Sequence, residues 1–586
     1  MKFVTCFFLC IILSVTMAQT EKPEILKAPA QPQTVPGELI IKFGPQITDI
    51  ESSQLLQEVG LQSIKTVDAL NIKICQNLTE KTIDQVIIEC NASSEIEYAE
   101  PNYKVYALEK PNDPDYTRLW GLNNTGQTGG ANDADIDAEE AWDVQKGSRQ
   151  IIVGVIDTGI DYNHEDLQLN MWRNLAEVPN NNVDDDNNGY VDDYFGWDFY
   201  NQDKDPNDDN EHGTHVSGTI GAIGNNAIGV VGVNWKVSLM ALKFLNQQGS
   251  GSTSDAIEAI VYASDMGANI LNNSWGGGGE SQALKDAIIY AKNKGVLFIA
   301  AAGNDSKNTD LDPNYPSNYN VENVISVAAS TDNDKLAGFS NYGEKTVDLA
   351  APGEFIYSAV PNNRYASFSG TSMATPHVAG AAALIWANYL PDSDWENVKF
   401  RLFGAADYLF NLQTKNLLDG RLNVNAALTN LPLVAVILKP SDTDDTANPY
   451  KIRASVIDND SIISAKLFYQ YSGAVSQTDS IDLSSVALHQ YEFQLPAAPL
   501  STTIKYKIVA EDNEQNITET RYYSFKVEEK SGCCGAFAAT VTLEKASLPA
   551  NLGLTLFLNF ALFFGIPFVY KVFNNSSYRK VFKIKK

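Results

Sequence analysis

Between residues 111 and 430 the chain alternates short apolar runs with stretches in which apolar residues recur at helical spacing. The runs Ile151–Ile156 and Gly295–Ala300 are almost continuously apolar, which is typical of parallel strands covered by helices on both faces. The predicted helices are Ser254–Met266, Gln282–Lys294 and Thr375–Tyr389. Strands and helices that alternate in this way predict an α/β domain over residues 111–430.

The chain before this domain, residues 19–110, predicts a smaller α+β unit. Strand-like runs occupy Glu38–Phe43 and Leu70–Ile74, and helical patterns occupy Ser52–Val59 and Thr82–Glu89.

After residue 430 the pattern changes to short strand-like runs between turn signals. Such spacing over residues 433–527 predicts an immunoglobulin- or fibronectin-like β-sandwich. The predicted strands are Leu433–Leu438, Tyr450–Val456, Ala465–Tyr471, Tyr491–Leu495, Thr503–Ala510 and Arg521–Val527. A spacer over residues 528–551 follows the sandwich.

The N-terminus predicts export. A short basic start, Met1-Lys2, precedes the apolar run Phe3–Val15, and Thr16-Met17-Ala18 then supplies a small-x-small cleavage signal. These features predict a secretory signal peptide over residues 1–18.

A second apolar segment, Leu552–Tyr570, contains no charged residue and is long enough, at about 28 Å, to cross a bilayer. It predicts a transmembrane helix over residues 552–572. A basic tail, residues 573–586, would remain cytoplasmic. The exported part would then stand at the cell surface or in the periplasm, anchored by this helix. Two alternatives remain open: a buried core helix, and a sorting signal processed near Ser531–Gly535.

Composition narrows the class of partner. The formal net charge of −29 argues against nucleic acid, because phosphate binding requires a basic surface. An acidic surface fits either simple solvation or binding of divalent cations. Residues 91–532 contain no cysteine, so the large domain is held by its core or by metal rather than by disulfides. Cys75 and Cys90 lie upstream, and sequence gives no geometry for a bond between them.

Three polar residues carry the candidate chemistry. Asp157 ends an apolar strand, at the edge where parallel sheets place their sites. His212, one of five histidines, opens a run of small residues, and Ser372 follows a glycine-led turn into a helix. Each alone fits a structural role, as a helix cap or a core histidine. Together they can perform acyl transfer, because serine needs a base, and the base needs an acid that orients it.

In these three blocks the chain resembles the subtilisin-like (subtilase) serine peptidases, most specifically over Gly370–His377. The resemblance covers roughly residues 37–430 and implies a three-layer domain with a parallel sheet. It implies that Ser372 is the nucleophile, that His212 acts as general base and then acid, and that Asp157 orients His212. Asn304 matches the family's oxyanion-hole asparagine.

The resemblance also identifies two segments as walls of the pocket that receives the substrate's P1 side chain. Because both segments are uncharged and mainly apolar, we predict a hydrophobic P1 preference, although Trp275 also fits a packing role. The wall residues are Ser274, Trp275, Gly276, Ala301, Ala302 and Gly303.

An acidic stretch predicts a calcium loop. Residues 182–211 hold ten Asp and one Glu against one Lys. Oxygen-bearing residues recur with the spacing of a calcium loop before Gly189, but its twelfth position is Phe195 instead of Glu. A solvated acidic loop is the alternative. The predicted ligands are Asp184, Asp186, Asn188, Tyr190 and Asp193.

The resemblance implies a second Ca²⁺ site. Asp113, Asp166 and Asn226 would supply side-chain oxygens, and Gly224, Ile228 and Val230 would supply carbonyl oxygens. In a domain without disulfides, an ion bound only by the native state would stabilise the fold.

Residues 37 to about 106 resemble the family's inhibitory propeptide, and we predict self-cleavage between about Tyr106 and Asn112. The sequence therefore predicts a membrane-tethered serine endopeptidase made as a zymogen. Its partners would be extracytoplasmic protein substrates and its own propeptide. The alternative is a surface binding protein that uses a peptidase-like scaffold and the sandwich.

Overall fold

A computed structural model describes residues 34–79, 81–103, 110–391, 393–429, 432–459, 461–482, 484–487 and 489–529. The predicted signal peptide, the transmembrane helix over residues 552–572 and the basic tail lie outside the described residues. The spacer is described only at its first two residues, Glu528 and Glu529. Among the described residues no helix is long and apolar enough to cross a membrane.

The N-terminal unit is a four-stranded antiparallel sheet covered by two helices. Its elements are β1 (Thr34–Phe43), α1 (Asp49–Glu58), β2 (Leu61–Val67), β3 (Ile72–Asn77), α2 (Ile83–Asn91) and β4 (Ile96–Tyr103), with strand order β2-β3-β1-β4. Thr48 and Thr82 begin the helices, each closing a reciprocal capping box with the residue three positions later. Cys75 and Cys90 are buried free thiols in this small core.

The central α/β part is built on a nine-stranded sheet, ordered β14-β15-β11-β10-β9-β8-β5-β7-β6. Its strands are β5 (Ile152–Asp157), β6 (Gly196–Asp198), β7 (Ser238–Lys243), β8 (Ile270–Asn273), β9 (Leu297–Ala301), β10 (Val324–Ser330), β11 (Leu349–Pro352), β14 (Asp407–Tyr408) and β15 (Gly420–Arg421). A separate hairpin is formed by β12 (Ile356–Val360) and β13 (Arg364–Phe368). All pairings in the large sheet are parallel except β14 with β15.

Helices cover both faces of this sheet. They are α3 (Ala138–Ala141), α4 (His212–Gly221), α5 (Thr253–Asp265), α6 (Gln282–Asn293), α7 (Thr371–Asn388), α8 (Trp395–Gly404) and α9 (Val424–Thr429). Val153 and Val155 of β5 belong to one apolar cluster and Ile156 to another, so the strand is buried on both sides. The predicted α/β architecture with a parallel sheet is confirmed.

The central strand β5 positions the site. It lies between β7 and β8, so the chain order reverses at its carboxyl end. Open α/β sheets place ligands at such a reversal, because the connections leave in opposite directions and open a crevice. Asp157 is the last residue of β5.

The part after residue 432 is β-rich, as predicted. Nine strands form a four-stranded and a five-stranded sheet around one apolar core. They are β16 (Leu433–Leu438), β17 (Tyr450–Ile457), β18 (Ile462–Gly473), β19 (Gln477–Asp482), β20 (Ser484–Ala487), β21 (Gln490–Leu495), β22 (Thr502–Asp512), β23 (Ile517–Glu519) and β24 (Tyr523–Val527).

Candidate active site

Asp157 and His212 form the buried half of the site. His212 is the first residue of α4, and its Nδ1 donates to Asp157 Oδ1 at 2.7 Å. Asp157 is fully buried, whereas the His212 side chain is 27% exposed. Because Nδ1 carries the proton, the other ring nitrogen has a free lone pair. The imidazole is therefore oriented to accept a proton from a neighbouring hydroxyl.

The pKa of His212 is raised above its ordinary value. Burial alone lowers it, but the charge of Asp157, the hydrogen bond to Asp157 and the more distant charge of Asp208 outweigh that effect. His215 and His377 differ, since burial lowers their pKa values to about 3 and about 4. His212 is thus set apart from these two histidines as a proton acceptor.

A second carboxylate, Asp208, fixes the start of α4. Its Oδ1 accepts from the Thr158 hydroxyl at 2.8 Å, and its Oδ2 accepts from the Thr214 backbone N–H at 2.9 Å. The loop after β5 and the first turn of α4 therefore share one anchor. The sequence prediction did not include Asp208, although an Asp four residues before His212 is a recognisable helix-start signal.

Ser372 is the second residue of α7, four residues before Pro376. A proline has no N–H, so the Ser372 carbonyl loses its usual helical donor. The Ser274 hydroxyl replaces that donor at 2.9 Å, and the Ser372 hydroxyl donates to the Ser274 carbonyl at 2.9 Å. In this rotamer the Ser372 proton is directed to Ser274 rather than to His212. The structure thus records the Asp157–His212 contact and a Ser372 hydroxyl that is hydrogen-bonded to the Ser274 carbonyl.

Helix α7 begins at Thr371, earlier than the predicted Thr375. The prediction placed Pro376 in the first turn, where proline is favoured. The Ser274 hydroxyl explains the difference, because it satisfies the carbonyl that the proline leaves without a donor.

Asn304 lies beside the same turn. Its Oδ1 accepts from the Thr371 backbone N–H at 2.8 Å. The NH₂ end of the Asn304 side chain therefore points away from Thr371. A methyl group added to Gly370 would lie 3.5 Å from Asn304 Nδ2 and 3.6 Å from the Ser372 backbone nitrogen. Two N–H donors therefore border one open point. The Asn304 amide and the Ser372 N–H therefore lie near the same point, as the predicted oxyanion role of Asn304 requires.

The two predicted pocket walls lie at the carboxyl ends of the neighbouring parallel strands β8 and β9. Ala301 and Ala302 are buried at the end of β9, and Trp275 packs its ring against Phe244 with centroids 4.9 Å apart. Trp275 thus contributes to packing, the alternative stated for it.

A residue that the sequence did not indicate lies beside both predicted wall segments. A methyl group on Gly276 would lie 2.9 Å from Asn314 Nδ2, and one on Gly303 would lie 3.2 Å from the same atom. Asn314 therefore lies against both segments and would add a polar group to the pocket that was predicted to be apolar. It follows the strands by several residues in a proline-bordered loop, so periodicity gave no signal for it.

The residues of the second predicted metal site are brought together. Asp113 accepts from the backbone N–H groups of Asn225 and Asn226, and Asp166 Oδ1 accepts from the Asn226 amide at 2.7 Å. Asp166 Oδ2 also accepts from the Val230 N–H at 2.9 Å. Burial raises the pKa of both carboxyl groups. Two buried carboxylates around one loop fit the oxygen donors that Ca²⁺ prefers.

The predicted calcium loop also folds around its acidic residues. Asn188 donates to Asp186 at 3.1 Å and to Asp193 at 2.9 Å, and its backbone N–H donates to Asp184 at 3.1 Å. Tyr190 follows, with its ring 4.8 Å from that of Tyr262.

Glu177 supplies the acid that the loop's twelfth position lacks. Carboxylate oxygens of Glu177, Asp184 and Asp186 lie within 4.8 Å of one another. Phe195, at that twelfth position, stacks instead on Tyr162 with centroids 4.5 Å apart. Sequence reasoning missed Glu177 because it precedes the loop. The three carboxylates fit a divalent cation, although the twelfth position of the loop is not the Glu of an ordinary calcium loop.

Two family models match the chain. The model described as "Subtilase family" matches residues 148–426, and the model described as "Fervidolysin N-terminal prodomain" matches residues 20–102.

Individual relatives match as well. The chain is 40% identical over 352 residues to "Thermophilic serine proteinase" of Bacillus sp. (strain AK1), covering 60% of this chain and 78% of the relative. It is 42% identical over 250 residues to "Thermitase" of Thermoactinomyces vulgaris, covering 43% and 79%. A solved structure of a protease from Pseudoalteromonas arctica PAMC 21717 aligns at 29% identity with a TM-score of 0.44, covering 55% of this chain and 99% of that one.

Proposed function

The chain belongs to the subtilase family of serine peptidases and carries a prodomain, and we propose that it is an endopeptidase using Asp157, His212 and Ser372. The observation that carries the proposal is the 2.7 Å bond between the fully buried Asp157 and the partly exposed His212. A buried carboxylate behind an accessible imidazole is the arrangement that activates a serine.

In the proposed reaction, Ser372 Oγ turns from the Ser274 carbonyl toward His212 and attacks the scissile carbonyl carbon. His212 takes the hydroxyl proton and then delivers it to the leaving amine, while Asp157 stabilises the charged imidazole. Water, deprotonated by His212, next attacks the acyl ester and releases the second product. The Ser372 hydroxyl proton is thereby restored.

The oxyanion formed in each half-reaction would lie between the Asn304 amide and the Ser372 backbone N–H. Both donors border the open point beside Gly370. Donors fixed before the reaction stabilise the transition state more than the substrate, because they need no reorganisation when charge develops.

We propose calcium as a structural partner at both acidic sites. Asp113, Asp166 and the Asn226 loop would hold one ion, and Glu177 with Asp184 and Asp186 would hold another. At the first site the support is the pair of buried carboxylates that the Asn226 loop joins, and at the second it is the approach of three carboxylate oxygens within 4.8 Å of one another. Bound Ca²⁺ would supply charge balance and stability. Calcium takes no part in the proposed catalytic steps.

The proposed setting is extracytoplasmic, and it rests on the predicted signal peptide and transmembrane helix of the sequence. The proposed substrates are proteins in that compartment. The N-terminal unit would act as an intramolecular inhibitor until cleavage between Tyr106 and Asn112.

The test is cleavage of denatured casein by the full chain beside its Ser372→Ala variant. Wild type should cleave casein and lose its N-terminal unit, and the variant should do neither. A folded wild type that stays inert on casein and on unfolded peptide libraries would contradict the proposal. N-terminal sequencing of processed wild type, beginning upstream of residue 100, would contradict the proposed processing site.

A further inference from the structure

Phe355 combines two unfavourable features beside the candidate active site. Its side chain is 69% exposed, and its backbone has φ +54°. A bulky residue in the left-handed region is a rare outlier. An exposed phenylalanine side chain also forgoes the favourable free energy of burying its apolar surface. Strained backbone of this kind concentrates where side chains act on ligands.

The backbone around Phe355 is held by the turn that carries the nucleophile. The Phe355 N–H donates to Ser369 Oγ at 2.8 Å, and the Gly370 N–H donates to the Gly353 carbonyl at 2.9 Å. The Trp120 indole also donates to the Glu354 carbonyl at 3.1 Å. The strained conformation is therefore fixed from both sides. One hydrogen bond joins it to Ser369, which is three residues before Ser372.

The surroundings indicate which half of a substrate Phe355 faces. The pocket walls approach Ser372 from one side, through Ser274 and the Gly303–Thr371 hydrogen bond. The β12–β13 hairpin packs instead on the helix of the base, since His215 Nε2 donates to the carbonyl of Ile356, the residue after Phe355. His212 must pass its proton to the leaving amine, so this is the leaving-group side.

We propose that Phe355 is a specificity-determining residue that contacts an apolar side chain of the substrate on the leaving-group side of the scissile bond. The inference rests on the proposed endopeptidase function and names part of its substrate class. The occupant is an extended polypeptide with an apolar residue two or three positions after the cleaved bond. A lost apolar contact of this size reduces kcat/KM about tenfold.

The test uses processed full-length enzyme and three substrates with the same acyl half. One is a peptidyl p-nitroanilide without a peptide leaving group, and two are quenched peptides with leucine or serine at the second and third leaving positions. Phe355→Ala should lower kcat/KM about tenfold for the leucine peptide only. Phe410→Ala is the control, because Phe410 is 77% exposed on a short 3-10 helix elsewhere.

Each outcome is decisive. Equal rates of Phe355→Ala and wild type on the leucine peptide overturn the inference while leaving the peptidase assignment intact. An equal loss on all three substrates also overturns it, because Phe355 would then support the catalytic centre. Inactivity of wild type on all three contradicts the proposed function itself.

Stability gives a second, independent readout. Glycine adopts φ +54° without strain, so Phe355→Gly in the Ser372→Ala background should raise Tm by about 2 °C. The same change in active enzyme should reproduce the selective loss on the leucine peptide. A lower Tm would show that Phe355 stabilises the fold and would overturn the strain argument.

Discussion

At the scale of single residues, the balance between burial and the Asp157 charge determines the protonation of His212. Burial lowers the His212 pKa and Asp157 raises it, with a raised value as the net result. Only the neutral imidazole accepts a proton, so kcat/KM should rise with pH as His212 deprotonates. Asp157→Asn leaves the burial but removes the charge. Its acid limb should therefore move to lower pH, and kcat should fall by about 10⁴.

The measurement is kcat/KM against pH with active-site titrated enzyme. Asp161→Asn is the matched control, because Asp161 lies four residues away and accepts from Asn163 and Asn362 rather than from His212. Its acid limb should stay in place. An unshifted limb in Asp157→Asn would mean that another group controls the profile.

Gly370 lies beside the two proposed oxyanion donors, the Asn304 amide and the Ser372 backbone N–H. Its φ of 165° is extended backbone that alanine also adopts, and the added methyl would lie 3.5–3.6 Å from both donors. Gly370→Ala should therefore fold normally and yet lose about 10²-fold in kcat, because the methyl competes with the oxyanion. Gly279→Ala is the control, since a methyl there meets no atom within 4 Å. Unchanged kcat in Gly370→Ala would contradict the proposed position of the oxyanion.

The sequence indicated candidate site residues where the neighbouring residues form a distinctive pattern. It did not indicate residues that reach a site only through tertiary contacts. Asp157, His212 and Ser372 sit in small-residue or strand-end contexts that restrict their roles. Asn314 and Glu177 have ordinary flanks. They enter the site because loops from other parts of the chain fold toward it, and local patterns do not encode such approach.

At the scale of elements, α7 depends on a hydroxyl from outside the helix. Ser274→Ala should leave the carbonyl of residue 372 without a donor and destabilise the fold by about 1–3 kcal/mol. Pro376→Ala restores a backbone N–H at the same carbonyl. Ser274→Ala should consequently have little effect in a Pro376→Ala background.

Urea unfolding of the four proteins, all carrying Ser372→Ala to prevent self-digestion, measures this coupling. A coupling energy of about 1 kcal/mol or more is expected. Strictly additive effects would show that the Ser274 hydroxyl is not the replacement donor.

Fewer than half of the described helices and strands were predicted, mainly those with a regular apolar pattern. Helices α5 and α6 begin and end within about one residue of the predicted positions, because their apolar spacing is regular. Strands β2 and β4 are two of the strands that the hydrophobic pattern did not predict. Strand β2 is largely exposed at the sheet edge, and β4 contains Pro101, so neither carries the alternation that marks a half-buried strand.

At the scale of the whole molecule, we expect calcium to stabilise the native state through two separate sites. Chelation should lower Tm, and each ion at 100 times its Kd contributes about 2.7 kcal/mol. Asp166→Asn and Glu177→Gln should each remove one of two steps in a calcium titration of Tm. Asp286→Asn, on the exposed face of α6, should remove neither. Loss of both steps in one variant would contradict two independent sites.

Asp419 joins the β-rich part to the α/β part. It is almost fully buried and accepts from Lys439 at 2.8 Å and from Arg521, two cations of the β-rich part. Leu433 also packs against Gly404 of α8, and Arg401 donates to Asn459 Oδ1 at 2.7 Å. Because these contacts fix the β-rich part against the α/β part, the β-rich part is suited to stabilise or orient the peptidase. It is less suited to bind targets while moving on a flexible linker.

The test of that coupling follows from where the tryptophans lie. All eight are between residues 120 and 395, so their fluorescence reports on the α/β part, whereas far-UV circular dichroism also follows the β-rich part. Both signals should change together in the Ser372→Ala protein.

Adding Asp419→Ala leaves two cations without their shared carboxylate and should cost about 3 kcal/mol. The dichroism should then change at lower urea than the fluorescence. Asp482→Ala removes an exposed pair with Lys466 and should leave the two signals coincident. Coincident signals in Asp419→Ala would show that the contacts at Leu433 and between Arg401 and Asn459 couple the two parts without Asp419.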